Sequence, residues 1–126
     1  MKIGPFKSGL FFLLLVLLIV SPASAKNPLD EEHALDALVS RIQKDKLYDS
    51  WTSVACLSFF TDEKTKNYFD FAIHEKHGGE CPGDPITWPV VDRFRVNRWT
   101  GEIQWHEFVE GEFQPYKAVL KVRLGK

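Results

Sequence analysis

Residues His74–Trp105 read HEKHGGECPGDPITWPVVDRFRVNRWTGEIQW, and the organisation of the whole chain follows from the three parts of that stretch. In the middle, His77–Pro85 holds three glycines and two prolines. These interrupt both the hydrogen-bond ladder and the dihedral preferences of a strand, so this part is a loop. Beyond Ile86–Pro89, the run Val90–Arg98 alternates, with Phe94 and Val96 to one side and Arg93, Arg95 and Asn97 to the other. Thr100-Gly101 reverses the chain, and Ile103, Trp105 and Glu107 then alternate with Gln104, His106 and Phe108, which makes a hairpin.

Upstream of the loop, Asn67–Lys76 alternates in the same way. Phe69, Phe71 and Ile73 face one side, and Tyr68, Asp70, Ala72, His74 and Lys76 face the other. Ser53–Phe60 reads as an earlier strand whose apolar content (Val54, Ala55, Leu57, Phe59, Phe60) suggests a mostly covered position. Thr61–Asn67 is the polar turn between the two. Before them, Leu35, Leu38, Val39 and Ile42 recur at i, i+3, i+4 and i+7, the stripe of an amphipathic helix capped by Asn27-Pro28 or by Asp30. His33 lies off that stripe and is expected in solvent, while Tyr48 and Trp51 cover the end of the core. Downstream, Glu110-Gly111 turns the chain into Phe113–Tyr116, and Val119–Leu124 is expected to be a final short strand or tail.

One helix followed by four or five turn-connected strands is an α+β arrangement, an N-terminal helix on one face of an antiparallel sheet, with a cystatin-like roll as the expected version. Its core would be Leu35, Leu38, Val39, Ile42, Leu57, Phe59, Phe69, Phe71, Ile73, Phe94, Val96, Ile103 and Trp105. A sheet packed on one side leaves its other face open.

The N-terminus points to export. Lys2 and Lys7 precede the apolar run Leu10–Val20, and Ser21-Pro22-Ala23-Ser24-Ala25 fits a small-x-small cleavage site. The run is shorter than the roughly 20 residues of a spanning helix, which argues against a membrane anchor. No cysteine lies near the cleavage site for a lipid. Cleavage after Ala25 would leave residues 26–126 as one domain in the periplasm or outside the cell. It would also leave 14 basic against 17 acidic residues, a net charge of −3, which disfavours nucleic acid as a partner. Cys56 and Cys81 both remain, and an even count in an exported domain reads as a disulfide.

The block HEKHGG-CPGDP, followed by PVVDRFRV, TGEI and Trp105, resembles a group of short exported bacterial proteins without an assigned activity. Within it, the strand-Thr-Gly-strand unit Val90–Trp105 resembles the second hairpin of PepSY domains. That resemblance implies a cystatin-like fold and a role in restraining peptidases.

No catalytic constellation stands out. His74-Glu75-Lys76-His77 lacks the spacing of a helical zinc motif, and on a strand its two histidines face opposite sides. Glu80 and Asp84 supply far fewer than the 6–8 oxygens calcium takes. Ser58 has neither an elbow motif nor a placed base. No cofactor motif is present. The open sheet face is the better candidate, where Tyr68, His74, Arg93, Arg95, Gln104 and His106 combine aromatic rings and arginines of the kind enriched at binding hot spots, with Phe108 at the margin. The expected function is a non-catalytic binding or inhibitor module for an envelope or secreted protein such as a peptidase or cell-wall hydrolase. The alternative is a small envelope enzyme or metal-binding protein using His74 and His77.

Overall fold

A computed structural model describes residues 27–126; the expected signal peptide, residues 1–25, lies outside the described residues. Five strands form one antiparallel sheet in sequence order: β1 (Leu57–Lys64), β2 (Tyr68–Glu75), β3 (Val90–Asn97), β4 (Ile103–His106) and β5 (Phe113–Pro115). Two helices, α1 (Glu31–Asp45) and α2 (Tyr116–Leu124), precede and follow them. The chain is thus the expected α+β arrangement, a helix with an open antiparallel sheet.

α1 begins where Asp30 accepts the His33 amide at 2.8 Å and ends where Lys46 turns left-handed at φ 51°. Ala34, Leu38 and Ile42 are its buried residues, with Leu35 packed beside them. Val39, expected in the core, is only half-buried. The stripe therefore runs at strict i, i+4 spacing, one position round from the expected centre.

The sheet residues that meet this stripe are Leu57, Phe69, Phe71, Ile73, Phe94, Val96 and Trp105, all buried, with Phe59 and Ile103 partly buried against them. They obey the alternation seen in the sequence, because β2 and β3 pair with Phe71 opposite Phe94 and Phe69 opposite Val96. Removing one such ring, as in Phe94→Ala, leaves a cavity costing about 3–5 kcal/mol.

Three expectations fail at the ends of the sheet. β1 runs from Leu57 to Lys64 rather than from Ser53 to Phe60, with Val54–Cys56 forming a 3-10 turn before it, so the polar turn shrinks to the residues after Lys64. It is also an edge strand, half-covered at best beyond Leu57, because α1 crosses β2 and β3 instead. Val119–Leu124 is helical, not a strand. Tyr116, Val119 and Leu120 bring an apolar stripe onto the sheet, with the Tyr116 ring 5.9 Å from that of Phe94. Pro115 precedes the helix and Gly125 closes it at φ 71°. α2 therefore packs on the same sheet face as α1.

Under that layer lies one buried charge. Asp92 is fully enclosed and accepts from Tyr48 Oη at 2.7 Å, Trp105 Nε1 at 2.8 Å and Arg123 Nη2 at 3.1 Å. A core carboxylate is tolerated only when donors surround it in this way. Tyr48 is buried as expected, while Trp51 packs edge-on against it at 5.1 Å and stays partly exposed.

The expected disulfide is present: Cys56 and Cys81 are joined, 25 residues apart, with their Cα atoms 5.5 Å from each other. It pins the Gly/Pro loop to the start of β1. The loop has its own plug in His77, whose Nδ1 lies 2.7 Å from Thr87 Oγ1 and whose Nε2 lies 3.2 Å from Glu75 Oε2. Its ring packs so closely on Gly83 that a Cβ there would stand 2.6 Å from ring carbons.

Candidate functional site on the uncovered sheet face

Both helices lie on one side, so the other side of the sheet is built by the alternate residues. The pairings bring the expected set together. Tyr68, Asp70, Ala72 and His74 of β2 adjoin Asn97, Arg95, Arg93 and Val90 of β3, and Gln104 of β4 sits beside Arg95. His106 follows Gln104 on the same face and pairs with Phe113 of β5.

What these residues do to one another differs from a row of free arginines. Arg95 grips Asp70 with two bonds, Nε to Oδ1 at 2.7 Å and Nη2 to Oδ2 at 2.9 Å. Its guanidinium carbon lies 3.6 Å from the Tyr68 ring centre and 4.0 Å from that of Phe113. Such bidentate, stacked geometry is the strong form of an arginine contact, and the hydrogen bonds that Arg95 donates to Asp70 raise its pKa further above its usual value. Arg93 is bound to Asp62. Asp62 reaches this face because the register slips between Thr61 and Glu63. That bulge turns two consecutive carboxylates outward, where a regular strand would alternate them. Glu63 makes no ion pair among the described residues and is the one unmatched charge here.

Asp62, Glu63, Asp70, Arg93, Arg95, His106 and Phe113 line a groove of about 600 Å³, within the usual size of a ligand pocket. His106 Nδ1 is buried without a hydrogen-bond partner, its ring standing edge-on to Phe113 at 5.1 Å and Phe108 at 6.0 Å.

Beside the groove, toward the disulfide loop, is an apolar ledge. Phe60 and Trp88 stack at 6.4 Å, and His74 meets Phe60 edge-on at 5.1 Å. Phe60 is 43% exposed and Trp88 61%. The His74 Nδ1–H donates to the Trp88 carbonyl at 2.9 Å, which holds loop to sheet.

No family model, curated protein or solved structure matches this chain.

His74 and His77 therefore serve different places, one the ledge and the other the loop plug. Among the described residues, no three of His, Cys, Asp and Glu are grouped to hold a metal ion. The sequence reading missed Phe60, Asp62, Glu63 and Phe113. Phe60 was legible from its parity with Ser58 once β1 is an edge. The outward turn of Asp62 with Glu63 depends on a bulge that no local residue preference announces.

Proposed function

We propose that this chain is an exported, non-catalytic protein-binding module of the periplasm or the extracellular space, whose uncovered sheet face engages another envelope protein such as a peptidase or cell-wall hydrolase. The observation that supports this most is the ledge of Phe60, His74 and Trp88 beside two arginine–carboxylate pairs. A solvated apolar patch rimmed by satisfied polar groups is the usual make-up of a docking surface. The basic start, apolar run and small-residue site of residues 2–25, together with the disulfide, support export. Among the described residues, no helix is long and apolar enough to cross a membrane.

The test is capture from an envelope extract with the wild-type protein and a Phe60→Ala/Trp88→Ala variant of unchanged thermal stability. One partner retained by the first and lost by the second is the expected result. Equal retention by both places the interface elsewhere. Titration with zinc and copper separates this reading from a metal-binding one, since stoichiometric binding abolished by His74→Ala belongs to the latter.

A further inference from the structure

The sheet has two edges, and they are unlike. β5 is three residues long, ends in Pro115 and runs directly into α2, the short proline-bearing edge that resists further pairing. β1 is eight residues long. The Lys76 amide donates to the Cys56 carbonyl at 2.8 Å. By the antiparallel alternation, Cys56, Ser58 and Phe60 thus turn their backbone groups toward β2, and Phe59 and Thr61 turn theirs away from the sheet. Neither of those two amides enters a turn or cap bond among the described residues. The far half of β1 is blunted by its bulge and by Asp62, Glu63 and Lys64, as edges commonly are. Ser58-Phe59-Phe60-Thr61 carries no charge and pairs with no further strand among the described residues.

We propose that this free edge of β1 is a strand-docking site. It takes an extended segment of a partner protein in which a basic residue stands two places before a large apolar one. The proposal rests on the protein-binding reading above and names the partner's chemistry. β2 already shows what a strand beside β1 meets: Ala72 lies opposite Phe60 and Asp70 opposite Glu63, two residues apart because the bulge absorbs Asp62. A strand added antiparallel on the other edge meets the same spacing. Its side chain opposite Phe60 falls on the Phe60–Trp88 ledge, and the one two places earlier faces the unpaired Glu63 carboxylate. Its backbone supplies the partners that the Phe59 and Thr61 groups lack, which is how strand addition gains affinity while alternate side chains give specificity. A second copy of this chain fits less well. Pairing β1 with itself sets Phe60 against Phe60 but leaves Glu63 facing Ser58, with no cation.

The experiment uses protein exported from the full chain and a labelled peptide with lysine two places before phenylalanine, flanked by threonine and serine. The expected result is saturable binding with slowed hydrogen exchange at the Phe59 and Thr61 amides. Phe60→Ser should weaken it about tenfold, and Glu63→Lys should transfer preference to the peptide with glutamate in place of lysine. Both positions are exposed, and thermal unfolding checks that both variants fold. Equal affinity for the two peptides, binding without protection of those amides, or displacement by a soluble glycan overturns the proposal, as does a β1-paired dimer that excludes the peptide. If an envelope partner is captured through Trp88 while the β1 amides still exchange freely in that complex, strand docking fails and the binding-module reading survives. If the peptide protects the edge but no envelope partner is captured, the converse holds.

Discussion

At Asp92 three donors converge on a carboxylate with no access to water. Asp92→Ala strands the Tyr48 hydroxyl and the Trp105 indole N–H, each worth about 1–3 kcal/mol when left unmet, so a loss of about 2–6 kcal/mol is expected in urea unfolding. Asp92→Asn keeps an acceptor and should lose less. Burial, with the Asp92 charge beside it, pushes the Tyr48 phenol far above its ordinary value, so it remains a donor throughout any ordinary pH range. Gly83 offers a second test at this scale. It sits at φ 113° with the His77 ring against it, whereas Gly79, at φ 59°, faces open space. Gly83→Ala should therefore cost well over about 1 kcal/mol and Gly79→Ala close to that, with thermal unfolding as the measurement. Glycine and proline content announced the loop, but nothing in it announced that a histidine plugs it.

For α1 the sign of the pH dependence follows from its first turn. The backbone and ring bonds of His33 hold Asp30 below its usual value, and the bonds from Lys64 and Thr61 hold Glu31 below its own. Their contributions are present above the unfolded values of about 4 and are lost as pH falls through the lower folded ones. His33 is raised, chiefly by its bond to Asp30, so its contribution is full below about 6.5 and fades as pH rises through the higher folded value. Thermal stability should thus be greatest between roughly pH 5 and 6.5 and decline on both sides. A His33→Gln variant should remove the His33 contribution to the alkaline side and, by losing the ring bond to Asp30, also weaken the acid side, where the backbone bond to Asp30 remains. Asp30 and His33 are exposed and Glu31 is half-exposed, so the changes are small. The helix itself was legible from its stripe and cap. α2 was not, because Val119 and Val122 favour strand locally, and only the packing of Tyr116 and Val119 on the sheet makes the helix the better state.

Over the whole molecule, the Cys56–Cys81 bond joins the start of β1 to the one long loop, so reduction should act unevenly. The chain-entropy stabilisation for such a loop is roughly 3 kcal/mol. Hydrogen exchange after reduction should speed up most in residues 76–89 and at the start of β1, and least in α1, which neither half of the bond touches. Two alkylated thiols in protein exported without reductant would show instead that the bond is not the native state.

The sequence by itself determined the α+β class, the three strands of alternating pattern, the hairpin at Thr100-Gly101, the cysteine pair, and which side chains of those three strands share a sheet face. Those features depend on period, turn chemistry and parity, which are local. Only the tertiary structure decided that β1 is an edge, that its bulge turns Asp62 and Glu63 to the same side, that Arg93 and Arg95 are already bound to carboxylates, and that the tail is a helix. Each of these is a choice between partners distant in the chain, and such choices are made by burial and charge pairing after the sheet has closed against its helices.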